Sequence, residues 1–270
     1  MQLRQSTYAL QDGIATFTLN RPEARNALSA EMRLDFTDLV AEVDGNDDVK
    51  VLVVTGAGGV FCAGGDTKAM AAGLGDSMTR RRRIDDLHAW LERFYDLDCP
   101  VIAAVDGPAF GGGFSLALVC DFVLAANRAR FCSVFGRIGL APDMALALTL
   151  PRIVGMQRAK ELMYTGRSID AVEALDLGLV LSVHEPDALM DAAYDLAGRL
   201  AQGSKSAIAA TKRLAQRGFS GDYRDMAEME AGTQPMLFDT DFHREAIRRF
   251  AEKQPPLYDW DRMDRARAAE

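Results

Sequence analysis

The chain lacks any long hydrophobic run. No apolar stretch approaches the roughly 20 residues that span a bilayer, so a membrane-embedded role is not expected. Positive charge is short as well. With 31 Lys and Arg against 39 Asp and Glu, the net charge of −8 excludes the broad basic surface of a nucleic-acid binder. Cysteine is scarce: Cys62, Cys99, Cys120 and Cys132 show neither close pairing nor His/Cys metal-ligand spacing. They read as reduced intracellular thiols, Cys120 and Cys132 being small core residues, and no metal site is expected. The N-terminus, Met1–Gln5, carries neither a signal-type apolar region nor an Arg/Ser-rich transit segment. A cytoplasmic location is the resulting expectation.

What the chain does have is apolar residues, 49% of its 270 positions, enough for a sizeable core. Tyr8–Leu10 and Ile14–Leu19 flank Asp12-Gly13, which predicts a β-hairpin. Ser29 is placed to cap a helix to about Val43, with Met32, Phe36, Leu39, Val40 and Val43 on one face. Val51–Val54, Val101–Val105 and Phe122–Ala126 are continuous apolar runs, as in strands buried on both faces. Helical patterns alternate with them, so the class is α/β. Pro142-Asp143 reads as a helix start capped by Asp143, and Ser168 as the cap of a short helix ending near Gly178. Leu179–Val183 reads as a last strand. From Gln157 onward helix dominates, with patterns at 188–200, 205–216, 223–238 and 241–252. A composition shift near Glu185 divides a core, 1–185, from a helical region, 186–270.

Two glycine-rich stretches follow buried strands. The first is Thr55-Gly56-Ala57-Gly58-Gly59-Val60-Phe61-Cys62-Ala63-Gly64-Gly65-Asp66-Thr67-Lys68. It fails a dinucleotide fingerprint because Phe61 stands where a third glycine is needed. It fails a P-loop because Asp66 follows Gly65. The second, Ala109-Phe110-Gly111-Gly112-Gly113-Phe114-Ser115, opens a short apolar helix. Three glycines at a helix start fit close ligand approach to free N–H groups or a tight strand-to-helix turn; both readings stay open on the stretch alone. Arg80–Arg83 opens a helical pattern through Ile84, Leu87, His88, Leu91 and Phe94. Four arginines in a row read as a solvated face or a partner contact. A lone histidine such as His88 on an apolar face reads first as a hydrogen-bonded core residue.

The order and spacing of the two glycine loops before Asp66 and Ser115 resemble the enoyl-CoA hydratase/isomerase (crotonase) superfamily. Leu19-Asn20-Arg21-Pro22-Glu23-Ala24-Arg25-Asn26-Ala27-Leu28 is similar to that family's CoA entry loop, and further runs at 151–155, 165–167 and 174–180 fall in place. The resemblance implies a spiral of ββα units with a helical C-terminal trimerisation region. It implies an acyl-CoA thioester as substrate, no bound cofactor, and a homotrimer or dimer of trimers. By matched position, the backbone N–H groups of Gly65 and Gly112 would hold the thioester oxygen. Arg25 and Lys68 would contact CoA phosphates, Ala27 and Ala63 would form the nucleotide wall, and Phe250 and Lys253 would close over CoA from a neighbouring subunit.

Departures from the pattern narrow the chemistry. The two glutamates of a hydratase would stand at Ser115 and Phe135, neither of which can act as a carboxylate. Asp143 remains, at a position where isomerase branches carry an acid that shuttles a proton. Met144 follows it and, with Phe135 and Ser115, would shape the acyl pocket. Apolar walls of Phe135 and Met144 are expected to raise the Asp143 pKa. His88 and Asp143 also match the histidine and nucleophilic aspartate of 4-chlorobenzoyl-CoA dehalogenases. The expectation is an enoyl-CoA isomerase with Asp143 as proton shuttle, of the 3-enoyl to 2-enoyl type or a ring isomerase of aromatic-catabolism CoA thioesters. A dehalogenase-like hydrolase, an atypical hydratase and a non-catalytic acyl-CoA binder stay open.

Overall fold

The computed structural model describes residues 1–66, 73 and 75–267. Strands β1 (Ser6–Gln11) and β2 (Ile14–Leu19) form the expected antiparallel hairpin. Its two-residue turn has positive φ at both Asp12 (53°) and Gly13 (80°), the backbone that matches strand twist. Helix α1 (Ala30–Asp44) starts at Ser29, whose side chain accepts from the Met32 amide. β3 (Val51–Gly56), α2 (Ser77–Tyr95), β4 (Val101–Val105), β5 (Pro108–Phe110) and α3 (Gly112–Val119) follow. Next come β6 (Phe122–Ala126), β7 (Arg130–Cys132), α4 (Leu146–Thr165), β8 (Ser168–Asp170), α5 (Ala171–Asp176) and β9 (Ser182–His184). The chain finishes with α6 (Leu189–Leu200), α7 (Lys205–Gly218), α8 (Tyr223–Phe238), α9 (Asp241–Ala251) and α10 (Trp260–Arg267).

Six strands make one sheet in the order β1-β2-β3-β4-β6-β9, parallel except for the hairpin; β5, β7 and β8 make a second, smaller sheet. The central strands are buried on both faces, which explains their unbroken apolar runs. Val51, Val53, Ile102, Ala104, Leu124 and Ala126 pack under Leu189, Ala193, Leu196 and Ala197 of α6. Leu52, Val54, Ala103 and Val105 face the larger core with α1, α2 and α3. Because α6 covers the sheet, a boundary at 185/186 cuts through one hydrophobic core.

Aromatic packing fixes α1 and α2 to the sheet. Phe36 stacks on Trp90 at 4.5 Å and meets Phe17 at 5.0 Å and Phe94 at 5.8 Å. Each such pair adds about 0.5–1.5 kcal/mol beyond the area it buries. This clamp sets where side chains on the other faces of α1 and α2 can stand.

Three expectations are corrected. Asp143 does not cap a helix: α4 begins at Leu146 behind Ala145, with no side-chain cap. Met144 (φ 50°) and Ala145 (φ 61°) intervene in left-handed backbone, which separates the carboxylate from the helix start. Ser168 is no cap either. It pairs with Cys132 in β8, and Asp170 caps α5 by accepting from the Glu173 amide. The last strand is Ser182–His184 rather than 179–183, since Leu179 and Val180 bury their side chains in the core before the chain reaches the sheet. All four cysteines are buried and free. Among the described residues, no helix is long and apolar enough to cross a membrane, and no cluster could hold a metal ion.

Candidate active site

The two glycine loops are stitched to each other. The Cys62 amide donates to the Pro108 carbonyl (3.1 Å), and the Phe110 amide donates to the Cys62 carbonyl (2.9 Å). From the entry loop, the Leu28 amide donates to the Gly64 carbonyl (2.8 Å), and the Ala63 amide to the Arg25 carbonyl (3.0 Å). Gly64 has φ +91°, and a Cβ there would lie 2.6 Å from the Phe110 carbonyl oxygen and 3.1 Å from the Gly112 nitrogen. The loops can approach this closely only because that position has no side chain. The closeness of the second loop has the same cause at Gly113, where a Cβ would sit 2.1 Å from the Cys62 carbonyl oxygen.

This approach brings Gly65 and Gly112 to the wall of one cavity of about 310 Å³, which Asp143, Phe135 and Met144 also line. Among the described residues neither glycine amide has a hydrogen-bond acceptor. Gly112 is the first residue of α3, a helix buried along its whole length, so the N-terminal end of its dipole faces the same place. Two free amides beside a helix start suit an oxygen that gains negative charge.

Asp143 shares this cavity with apolar Phe135, Met144, Ile84 and Leu140. Burial pushes its carboxyl above the ordinary carboxylate range, while the positive charges of His88 and Arg33 pull it back down. The expected upward direction is therefore present. Ser115 is fully buried, and its Oγ lies 3.0 Å from the Asp143 carbonyl oxygen and 3.3 Å from that of Gly111. Its hydroxyl donates to backbone carbonyls, which leaves it a tether for the Asp143 loop. The other carboxylate on the cavity wall, Asp66, is held by Arg21 at 2.8 Å.

Not every expected residue converges here. His88 is exposed on α2 rather than part of the core, because Leu87, Trp90, Leu91 and Phe94 take the buried face. Ala63 lines the cavity, and Ala27 is buried beside Leu28, which does too. Arg25 is exposed and joins the site through its carbonyl. Lys68 lies outside the described residues. Phe250, 84% exposed, and Lys253 stand at the end of α9 and do not line this chain's cavity.

Other residues on the wall were not assigned to the site by sequence reasoning: Arg33 and Leu140, together with Arg80, Arg83, Ile84 and Leu87 of the helical run. The signal for the α2 members was their spacing. Arg80, Arg83, Ile84 and Leu87 repeat at three and four residues, one helix face.

Comparison with known proteins identifies the family. Residues 9–261 match the family model described as enoyl-CoA hydratase/isomerase. A Rhodobacter capsulatus protein named "Probable enoyl-CoA hydratase" is 38% identical over 93% of this chain and 96% of its own. A crotonyl-CoA hydratase of Syntrophomonas wolfei is 34% identical over 90% of this chain and 94% of its own. The crystal structure of an enoyl-CoA hydratase/isomerase from Cupriavidus metallidurans superposes with a TM-score of 0.91 at 38% identity, covering 96% of this chain and 97% of that one. The fold is that of the crotonases, α/β with a helical C-terminal region, and the chain belongs to the enoyl-CoA hydratase/isomerase family, enzymes that act on CoA thioesters without a cofactor.

Proposed function

We propose that the protein is an enoyl-CoA isomerase in which Asp143 is the single proton shuttle. Ionised Asp143 removes a proton from the carbon next to the thioester of a 3-enoyl-CoA. The electron pair moves into the thioester, and the resulting dienolate oxygen accepts from the Gly65 and Gly112 amides. Protonated Asp143 then returns the proton to the fourth carbon, giving the 2-enoyl isomer with no water consumed. Preorganised donors of this kind contribute about 2.7–4 kcal/mol each to the transition state.

One observation carries the reading. Asp143 borders the cavity together with both free glycine amides, whereas the cavity's other carboxylate is engaged by Arg21. Ser115 and Phe135 supply no second carboxylate to activate water. Most of the similar proteins are named hydratases, so the test sets the two reactions against each other. Purified protein is given 3-enoyl- and 2-enoyl-CoA of equal length, and products are followed by mass spectrometry. Double-bond migration is expected, with Asp143→Asn reducing it about 10²–10⁴-fold. Rapid conversion of 2-enoyl-CoA to a 3-hydroxyacyl product would overturn the proposal. Absence of α-proton exchange into heavy water would leave an acyl-CoA binder.

A second reading, aromatic dehalogenation with Asp143 as nucleophile, draws on the charge of His88, which lowers the Asp143 pKa, although His88 does not line the cavity. Chloride release from 4-chlorobenzoyl-CoA decides it. The CoA contacts at Arg25, Ala27, Ala63 and Lys68 belong to the same proposal. So does closure by Phe250 and Lys253 over the CoA of a neighbouring copy. The helices after α6 are the proposed assembly region, supported by exposed Phe219, Tyr223, Met236, Phe238 and Ile247. A trimeric or hexameric mass in solution is the expected result.

A further inference from the structure

The cavity that holds Asp143 is not simply an apolar slot. Three guanidinium-bearing residues border it: Arg33 from α1, and Arg80 and Arg83 from one face of α2. The Arg80–Arg83 run therefore divides. Arg81 sits outside the cavity, 3.6 Å from Asp85 at the surface, while Arg80 and Arg83 contribute to the site.

Arg33 and Arg83 are half-buried. Both also line the groove that continues between α1 and α2 past Asp86 and Trp90, so they mark the junction of cavity and groove. The Arg33 Nε donates to the Ser29 carbonyl at 3.2 Å, which anchors the guanidinium and leaves its outer N–H groups available. Burial lowers the pKa of Arg33 and the charge of Arg83 lowers it further, with Asp143 and Asp86 opposing. An arginine nonetheless stays charged. Among the described residues no carboxylate is within ion-pair distance of Arg33, Arg80 or Arg83. Two half-buried cations repel each other on a pocket wall, and neither has an anion in contact. Such an arrangement gains most when an anion arrives with the ligand.

Building on the acyl-CoA reading above, we infer that the acyl group carries a second carboxylate at its far end, held by Arg33 and Arg83 with Arg80 at the rim. The substrate class is then the CoA monothioester of a short unsaturated dicarboxylic acid. A CoA phosphate is the other possible anion. Free CoA carries the phosphates and no acyl carboxylate, so its binding distinguishes the two sources.

The test measures binding of saturated thioesters, which undergo no isomerisation, so it separates this inference from the reaction itself. Calorimetry compares glutaryl-CoA, pentanoyl-CoA and free CoA on the full chain and on Arg83→Met and Arg80→Met. Charge-assisted hydrogen bonds predict that glutaryl-CoA binds roughly 10- to 100-fold more tightly than pentanoyl-CoA. Arg83→Met removes most of that preference and Arg80→Met a smaller part, while free CoA binds all three proteins equally. Equal binding of the two acyl-CoAs by the unaltered protein overturns the inference. A loss of affinity for free CoA in Arg83→Met that matches the loss for glutaryl-CoA also overturns it, assigning the arginines to CoA phosphates. Should the 3-enoyl-CoA assay fail while the glutaryl preference holds, the isomerase reading falls and the substrate class stands.

Discussion

Gly64→Ala tests whether the meeting of the two glycine loops creates the oxyanion site. An alanine Cβ at this position would sit 2.6 Å from the Phe110 carbonyl oxygen and 3.1 Å from the Gly112 nitrogen. Real Cβ atoms essentially never approach closer than 3.0 Å, so one loop must retreat by at least 0.4 Å. The alanine must also hold φ near +91°, at a strain of about 1–3 kcal/mol. Relief comes most easily by moving the Gly64–Gly65 peptide away from α3, which spoils the convergence of the two amides. Loss of one donor is worth about 2.7–4 kcal/mol in the transition state, or 10²–10³ in kcat. The assay is deuterium incorporation next to the thioester in heavy water, read by mass spectrometry, with calorimetric affinity for free CoA as a control for folding and binding. The expected variant is folded, binds CoA within a few-fold of the parent, and exchanges 10²–10³ times more slowly. A folded Gly64→Ala protein that exchanges at the parental rate would refute the reasoning, because the loop contact would then be irrelevant to charge stabilisation.

Other predictions follow from groups whose ionisation the fold perturbs. With ionised Asp143 as the proposed base, activity rises with pH through its pKa, and burial places that limb above the ordinary carboxylate range near 4. His88→Gln removes a charge that lowers this pKa, so the limb should move to higher pH; a limb that stays put or moves down contradicts the assignment. Asp35 is fully buried and accepts from the Arg4 and Gln5 amides, the Ser6 hydroxyl and the Arg4 guanidinium. Burial opposes its ionisation, but those hydrogen bonds together hold its pKa below the usual value. Its stabilising effect is therefore complete above the ordinary carboxylate range and lost as pH falls through the depressed pKa. Asp35→Ala should lower stability by about 3 kcal/mol at neutral pH, since buried donors lose their acceptor at about 1–3 kcal/mol each. Urea melts at pH 7 and pH 3 check both the size and the pH dependence. Burial pushes the Cys62 thiol up to about 12 and the Cys99 thiol to about 11, so a thiol reagent should label neither in the native protein. All four cysteines should react in denaturant; rapid native labelling would contradict the packing.

Much of this architecture could be read from the chain because its signals are local and mutually consistent. Asp12-Gly13 dictates a hairpin, Ser29 dictates a helix start, and the apolar runs at Val51, Val101 and Phe122 require a sheet covered on both sides. Asp143 misled as a cap because a Pro-Asp pair before an apolar stretch is a sound local signal. The left-handed backbone at Met144 and Ala145, which no propensity favours, depends on the pocket around it. Ser168 lost to Asp170 for a similar reason: pairing of β8 with β7 claims Ser168 before the helix can. The arginines of α2 were visible as a charge run, yet their division into surface and cavity members depends on which helix face the Phe36–Trp90 stack turns inward. Arg33 gave no signal of its own, since its partners come from a helix some fifty residues away in sequence.

The Ser115 hydroxyl, 3.0 Å from the Asp143 carbonyl oxygen, bears on how such a site can change over evolutionary time. In this chain the position where the resemblance places a hydratase carboxylate serves as a clasp on the loop that carries the proposed base. Ser115→Glu would therefore do two things at once, supplying an acid and releasing the clasp. The gain is realised only if the segment at Met144 and Ala145 has first found another support. Substitutions at 115 and 143–145 are thus epistatic, and their order matters. A drift from one proton carrier to two must pass through the loop before it reaches the serine.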